Sequence, residues 1–268
     1  MQTAQAPNAD GATNVALAAA THRLRILSFN IQVAMHTRHP ADYLTGAWRH
    51  VLPTAHGHLN LDRIADIIRG YDFVAIQEGD AGSLRTRFRN QIAHLAQAAG
   101  YRNFDLTITR DLHPIARHCL GFLSQPNPVQ ITDLPLPTPI PGRRALRIDM
   151  GPTAGGAVFI VTHLSLGARA QERQLAFLAE QIPPNRPAIL LGDLNCDAER
   201  LQRHSGLRRA GLVVPQTPPA TYPSWRPRRA IDHILATPDV TLHRLEALPF
   251  VLSDHLPIAA EIEIPALR

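Results

Sequence analysis

Polar and charged side chains close several of the apolar segments of this 268-residue chain. Asn30, Glu78 and His163 each end a run of apolar residues, and Asp193 and Asn195 end another, Leu-Gly-Asp-Leu-Asn. Carboxylate and amide oxygens are the ligands that Mg²⁺ prefers, and an imidazole exchanges protons near neutral pH. This combination suits metal-assisted cleavage of a phosphoester, which needs charge neutralisation, a polarised water and donors to the phosphate oxygens.

Taken singly, these positions allow a second interpretation. Glu78 follows the apolar segment 72–77, and a charge there needs a partner, which is either a Mg²⁺ ion or a helix cap or salt bridge. Strand alternation would point Asp193 and Asn195 to the same side, where the carboxylate orients a water and the amide holds a phosphate oxygen. The same two residues could instead form an Asp/Asn turn.

A carboxylate and an imidazole form another candidate pair. Asp232 lies in the apolar segment Ile-Asp-His-Ile-Leu, and His255 lies in Ser-Asp-His-Leu-Pro. A buried carboxylate that bonds one ring nitrogen would fix the tautomer of His255 and raise its basicity. Because the chain has 14 histidines, this hypothesis depends on the whole set of polar residues and not on His255 alone.

The elements that must position these residues follow an α/β rhythm. Apolar runs predict strands, and apolar residues at helical spacing predict helices between them. In α/β sheets the carboxyl ends of strands face the ligand crevice, so the polar strand ends should converge on one site. We predict strands at 24–31, 72–77, 118–124, 158–162, 187–192, 230–236 and 258–264, an edge or loop at 126–141, and helices at 60–69, 83–99, 169–181 and 199–210.

Composition indicates one domain over residues 23–268, preceded by a flexible tail at 1–22. The formal charge is +5 and all 27 basic residues are arginine, which fits a nucleic-acid or anionic-lipid partner or a genomic bias toward arginine. Cys119 and Cys196 are too few for a disulfide framework or zinc site. We therefore expect a reduced, cytoplasmic protein, with export as the alternative because of the apolar patch at 15–20. Because no window of about 18 apolar residues occurs, we expect no transmembrane segment. We also expect a monomer.

Six ordered motifs resemble the signature of the endonuclease/exonuclease/phosphatase, or DNase I-like, superfamily. Each is weak alone, but their order and intervals over residues 24–264 make the resemblance specific. It implies a four-layer α/β/β/α sandwich of two mixed β-sheets flanked by helices. The motifs are Ser-Phe-Asn-Ile at 28–31, Ile-Gln-Glu at 76–78, Thr-His-Leu at 162–164, Gly-Asp-Leu-Asn at 192–195, Ile-Asp-His-Ile at 231–234 and Ser-Asp-His-Leu-Pro at 253–257.

The resemblance also implies a divalent metal, Mg²⁺ or alternatively Mn²⁺, and a role for each motif residue. His118 stands where many relatives have a tyrosine near the phosphate, and it either takes that role or is an ordinary residue of the strand entry. Whether His255 deprotonates water or stabilises phosphate charge is left open. The implied roles are Asn30, Glu78 and Asp254 at the metal, His163 and Asn195 on phosphate oxygens, Asp193 positioning the nucleophile, and Asp232 orienting His255.

The substrate must be selected by the loops, because superfamily members share one catalytic set. Arg38 lies in the first long loop, and the segment Ser-Trp-Arg-Pro-Arg-Arg at 224–229 precedes Asp232. Arginine beside tryptophan suits phosphate clamping with base stacking, so we predict a nucleic-acid phosphodiesterase whose substrate-binding residues include Trp225, Arg226, Arg228 and Arg229. The alternatives are a lipid-headgroup or small-phosphoester hydrolase and, more remotely, an inactive binding protein.

Overall fold

The computed structural model describes residues 21–35, 55–138 and 142–266. Within these ranges the chain forms two mixed β-sheets, in the strand orders β10-β11-β1-β2-β4-β3 and β5-β6-β7-β8-β9. The strands are β1 (Thr21–Asn30), β2 (Phe73–Asp80), β3 (Asn103–Leu112), β4 (Ala116–Ser124), β5 (Pro128–Pro135), β6 (Arg144–Met150), β7 (Val158–His163), β8 (Ala188–Asp193), β9 (Asp232–Ala236), β10 (Thr241–Ala247) and β11 (Ile258–Pro265).

Helices cover the outer face of each sheet, which gives the predicted four layers. They are α1 (Ala55–Ile68) and α2 (Gln91–Ala99) on the first sheet, and α3 (Ala168–Glu180), α4 (Ala198–Arg203) and α5 (Ser205–Arg209) on the second. None of the helices in the described ranges is long and apolar enough to span a membrane.

Strand alternation separates the cores, since successive side chains of a strand point to opposite faces. In β1, Ile26 packs between the sheets whereas Leu27 packs beneath α1 and α2. In β7, Phe159 packs between the sheets whereas Ile160 faces α3. The Phe73 ring stacks on Phe159 at a centroid distance of 4.2 Å and joins the two sheets through the shared core.

The predicted helix at 83–99 was too long at its start. A 3-10 turn covers Leu84–Thr86, Arg87 and Phe88 take positive φ angles, and the helix begins at Gln91. The reason is Asn90, which is the N-cap of the helix. Its side chain accepts hydrogen bonds from the backbone N–H groups of Ile92 and Ala93 in the first turn.

Other boundaries differ in smaller ways. The predicted helix at 199–210 is divided at His204, whose ring nitrogen caps the second of two short helices. β1 begins at Thr21, two residues inside the predicted tail, and residues 1–20 lie outside the described residues. The proline-rich stretch contains the edge strand β5. Strands β3, β6 and β10 were not predicted; β3 and β10 are edge strands with many exposed positions, which leaves them without an apolar run.

One parallel pair of strands in each sheet positions the site. β1 pairs in parallel with β2, which places Asn30 opposite Gln77, and β7 pairs in parallel with β8, which places His163 opposite Asp193. β9 runs antiparallel and starts at Asp232, opposite Asp193. The carboxyl ends of β1, β2, β7 and β8 therefore meet at the same edge of the sandwich, as the crevice rule predicts. Asp232 reaches this edge differently, because it lies at the amino end of the antiparallel strand β9.

Candidate active site

Glu78 stands at an irregularity in β2, between the positions Ile76 and Gly79 where pairing with β4 shifts register. Its φ of 55° lies in the left-handed region, which is uncommon for a residue other than glycine and indicates a local constraint. The side chain is 36% exposed and accepts a hydrogen bond from Asn30. Glu78 therefore places a largely buried carboxylate, which solvent still reaches in part, at this irregularity of β2.

Asn30 links the two sheets. Its Nδ2 donates to Oε1 of Glu78 at 3.1 Å and to Oδ2 of Asp193 at 3.0 Å, and its Oδ1 accepts from the backbone N–H of Gln32 at 3.1 Å. The buried amide thus holds a carboxylate from each sheet in fixed positions.

Asp193 and Asn195 form the turn that the second interpretation predicted. Oδ1 of Asp193 accepts from the backbone N–H of Asn195 at 3.0 Å, and Asn195 has a φ of 52°. Because β8 ends at Asp193, strand alternation does not extend to Asn195, and that part of the prediction was wrong. Nδ2 of Asn195 donates to the carbonyl oxygen of Leu164 at 2.9 Å, beside the end of β7.

His163 faces both carboxylates. Its Nε2 lies 3.4 Å from Oδ2 of Asp193 and 3.9 Å from Oε1 of Glu78. Burial holds the pKa of His163 well below its usual value, and the positive charges of Arg143 and His255 act in the same direction. A neutral imidazole at this place can donate one hydrogen bond without adding charge.

His255 and Asp232 form the predicted pair. Nδ1 of His255 lies 2.8 Å from Oδ2 of Asp232, which also accepts a hydrogen bond from the Thr221 hydroxyl. Nε2 of His255 lies 3.8 Å from Oδ2 of Asp193. Burial alone would lower the pKa of His255, but the Asp232 and Asp193 carboxylates outweigh it and raise that pKa well above its usual value.

The turn at 221–229 holds this pair in place and was not predicted to do so. The Tyr222 ring lies 5.0 Å from the His255 ring, and Thr221 donates to Asp232. The hydroxyl of Ser253 donates to the backbone carbonyl of Asn30 at 2.7 Å, which ties the His255 loop to β1. The only sequence signal was the position of Thr221 and Tyr222 before the Trp225 segment.

Burial and, to a smaller extent, repulsion between neighbouring carboxylates shift the pKa values of Glu78 and Asp193. Burial raises the pKa of Glu78; Asn30 opposes this effect and the charge of Asp254 adds to it. Burial, with the nearby Asp232 charge, raises the pKa of Asp193 to about 7. A divalent cation would neutralise such a cluster, and the carboxylates of Glu78 and Asp254 are oxygen donors of the kind that Mg²⁺ prefers.

A second group of possible ligands fits a metal less well. One ligand atom each of Asp193, Asp232 and His255 lies within 4.8 Å of the others. However, Oδ2 of Asp232 already accepts from Thr221 and lies at hydrogen-bond distance from His255, and Mg²⁺ seldom takes a nitrogen ligand. These three residues are better described as a proton-binding network.

A pocket of about 560 Å³ opens beside Glu78 and His163. His118 lines it, and its Nδ1 lies 3.4 Å from Nη2 of Arg85. Arg143 also lines it and was missed from the sequence, because nothing in its spacing sets it apart from the other 26 arginines.

The predicted substrate-binding arginines lie elsewhere. Trp225 is half-buried, and Arg226, Arg228 and Arg229 are exposed on the turn beyond Tyr222, outside the lining of this pocket. Of these arginines, Arg229 is tied to the His255 side of the site, since its guanidinium lies 6.0 Å from the centre of the Tyr222 ring, which packs near His255. Arg38 lies outside the described residues.

Several solved structures share this fold. An endonuclease/exonuclease/phosphatase from Beutenbergia cavernae DSM 12333 is 23% identical, with 91% of this chain and 72% of that chain covered and a TM-score of 0.68. A mannosyl-6-phosphatase from Bacteroides thetaiotaomicron VPI-5482 is 17% identical, with 89% of this chain and 99% of that chain covered and a TM-score of 0.68. The human Nocturnin catalytic domain with bound sulfate anion is 17% identical, with 90% of this chain and 94% of that chain covered and a TM-score of 0.66.

No curated protein matches the chain. The model of the endonuclease/exonuclease/phosphatase family matches residues 27–255. This range contains the first five motifs and the sixth as far as His255. The matched range is most of the chain, and the strand ends that it contains are those that converge on the site. The chain belongs to the endonuclease/exonuclease/phosphatase family.

Proposed function

We propose that this protein is a phosphoester hydrolase that uses a divalent cation, Mg²⁺ or alternatively Mn²⁺, and cleaves phosphodiesters of nucleic acid. Members of its family are typically phosphoester hydrolases. The observation that carries the proposal is the continuous set of contacts from Glu78 through Asn30 and Asp193 to His255. It joins a carboxylate cluster suited to a metal with an imidazole suited to proton transfer.

Glu78 and Asp254 would hold the cation, and Asn30 would keep the Glu78 carboxylate oriented toward it. When bound, the cation supplies charge neutralisation at the phosphate oxygens. His163 would donate a hydrogen bond to a phosphate oxygen as a neutral imidazole, and Asn195 would support this edge from the adjoining turn.

Asp193 would accept the proton of the attacking water, and His255 would stabilise the negative charge that develops on the phosphate. A carboxylate with a pKa of about 7 is suited to accept a proton from an attacking water near neutral pH. The raised pKa of His255 favours the imidazolium form, which supports a role in stabilising phosphate charge over one as a base. Asp232 would orient the ring through Nδ1, leaving Nε2 directed toward Asp193.

Two features support nucleic acid as the substrate. The exposed arginines 226, 228 and 229 follow Tyr222 in the chain, and Tyr222 packs beside His255, so they would be available to backbone phosphates of a bound nucleic acid. The pocket beside Glu78 and His163 is a separate feature, because none of these arginines lines it. A diester, which continues on both sides of its phosphate, could occupy both places.

The pocket also favours a second candidate, a small phosphoester. Its volume of about 560 Å³ is in the range of pockets that bind compact ligands. Among the similar structures, one is a mannosyl-6-phosphatase, which is consistent with a fold that also serves small phosphoesters.

The test is a hydrolysis panel with and without Mg²⁺, covering single- and double-stranded DNA, RNA, sphingomyelin, inositol phosphates, sugar phosphates and bis-p-nitrophenyl phosphate. The His255→Ala variant serves as the control for contaminating activity. We expect Mg²⁺-dependent cleavage of nucleic acid that is lost in His255→Ala. Turnover of small esters or lipid alone would show that nucleic acid is not the substrate. Binding without any turnover would indicate an inactive family member.

The cellular setting is proposed from the cysteines. Cys119 and Cys196 are buried and form no disulfide, and burial raises the pKa of the Cys196 thiol to about 12. Thiols of this kind suit a reducing compartment, so we propose a cytoplasmic location. The monomeric state stays a prediction.

A further inference from the structure

Arg143 lies immediately before β6, at the wall of the pocket that contains Glu78 and His163. The segment leading to it comes from β5, at the edge of the second sheet, whereas His118 and Thr109 on the same pocket belong to strands of the first sheet. Arg143 therefore extends from one sheet toward a pocket that both sheets line.

Gly142 makes this placement possible. Its φ is 119°, and a Cβ atom at this position would lie 2.8 Å from the carbonyl oxygen of Thr109 in β3. That distance is shorter than a carbon can tolerate against a backbone oxygen, so a side chain here would push the segment away from β3. The close approach to Thr109 therefore depends on a residue without a side chain, directly before Arg143.

The charge of Arg143 acts on the site and is not directed away from it. Glu78 and Asp193 both interact electrostatically with its guanidinium, and Arg143 opposes protonation of His163. None of the ion pairs within the described residues includes Arg143, and the carboxylates that act on its guanidinium are Glu78 and Asp193. The neighbouring Arg144 differs, because it forms an ion pair with Asp133 at 2.7 Å.

We propose that Arg143 is a substrate-binding residue that contacts the phosphate oxygens from the pocket side, and that the contact of Gly142 with Thr109 positions it. An arginine fork can bind two oxygens of one phosphate. His118 and His163 line the same pocket and add nitrogen groups around that phosphate. This inference rests on the proposed function and adds to it a residue that selects for an anionic, oxygen-rich group.

The first test measures inorganic phosphate as a ligand of the Mg²⁺-loaded protein by calorimetry, and as a competitive inhibitor where turnover is found. Arg143→Ala should weaken phosphate binding at least tenfold, and Arg143→Lys should recover part of the loss. Arg144→Ala is the matched control and should bind phosphate as the wild type does. Equal phosphate binding by wild type and Arg143→Ala would overturn the proposal.

The second test concerns placement. Gly142→Ala should weaken phosphate binding about as much as Arg143→Ala, and the double variant should lose little more, because both changes remove the same contact. Full phosphate binding by a folded Gly142→Ala variant would show that the glycine does not position Arg143. Calorimetry needs no turnover. A wild type that binds phosphate without hydrolysing esters would overturn the proposed function, but the comparison with Arg143→Ala would still test whether Arg143 binds phosphate.

Discussion

At the scale of single residues, Asp193 shows how burial alters chemistry. Its carboxylate is buried at the end of β8 and is surrounded by Asn30, His163 and His255, with Asp232 nearby. Loss of solvent and the Asp232 charge raise its pKa to about 7. The charged form therefore destabilises the metal-free fold, while the same property equips the residue to accept a proton.

This gives a stability prediction for the metal-free protein. A carboxyl group whose pKa rises on folding, here from 3.8 to about 7, contributes stability at low pH that is lost as the pH rises through that range. Between pH 5 and pH 8, the melting temperature of Asp193→Asn should therefore improve relative to wild type, by on the order of 5 °C. Thermal denaturation in EDTA measures this difference, and a constant offset at all pH values would contradict it.

Asp232 gives a prediction about activity. Replacing Asp232 with Asn should lower kcat roughly 10²- to 10⁴-fold, because the His255 ring loses the charge that keeps it protonated and oriented. The pKa of His255, followed by NMR, should fall in the same variant. Thr221→Val removes only a donor to Asp232 and should have a smaller effect on both quantities. A loss of activity under tenfold in Asp232→Asn would show that Asp232 does not orient His255 for catalysis.

At the scale of elements, the close approach of β7 and β8 requires a glycine. Gly192 has a φ of 144°, and a Cβ atom there would lie 1.9 Å from the carbonyl oxygen of Thr162. Gly192→Ala should therefore destabilise the fold by about 3 kcal/mol or more. Gly167→Ala is the matched control, because nothing lies within 4 Å of its added Cβ and its φ is −79°. Chemical denaturation should separate the two, and equal stabilities would contradict this account of the strand pair.

The irregular end of β2 gives a prediction about the metal. Mg²⁺ should raise the melting temperature of the wild type, since a ligand of the folded state stabilises by about 2.7 kcal/mol at 100 times its Kd. Glu78→Ala should lose most of this Mg²⁺ effect while keeping its fold in EDTA. Glu199→Ala changes an exposed glutamate on α4 and should respond as the wild type does. An undiminished response in Glu78→Ala would place the cation elsewhere.

At the scale of the whole molecule, the surplus of arginine allows a test of the nucleic-acid proposal. Arg228→Ala with Arg229→Ala should raise KM for DNA or RNA about tenfold at low salt and reduce the slope of log affinity against log salt by about 1–2. Arg208→Ala with Arg209→Ala removes the same charge from the exposed end of α5. If both pairs behave alike, only net charge matters; if neither has an effect, the Tyr222 turn faces away from the substrate.

Much of this molecule could be predicted from local sequence patterns. Apolar strands and the polar residues that close them indicated the α/β fold and named Asn30, Glu78, His163 and Asp193, because strand periodicity and strand ends are local properties. The pairing of Asp232 with His255 was predicted because a buried carboxylate that bonds one ring nitrogen fixes the tautomer of an imidazole and raises its basicity. Family membership followed from motif order, which is also a property of the chain alone.

The tertiary structure decided what depends on contacts between distant segments. Arg143 lies where the charges of Glu78 and Asp193 act on it, beside the close approach of Gly142 to β3 of the other sheet, and no local pattern distinguishes it from any other arginine. Thr221 and Tyr222 reach the Asp232 and His255 pair through the packing of a turn. The ionisation of Asp193 depends on the charges and burial that four converging strands create. Sequence determined which groups are present at the strand ends, and folding determined the distances between them, on which their pKa values and partners depend.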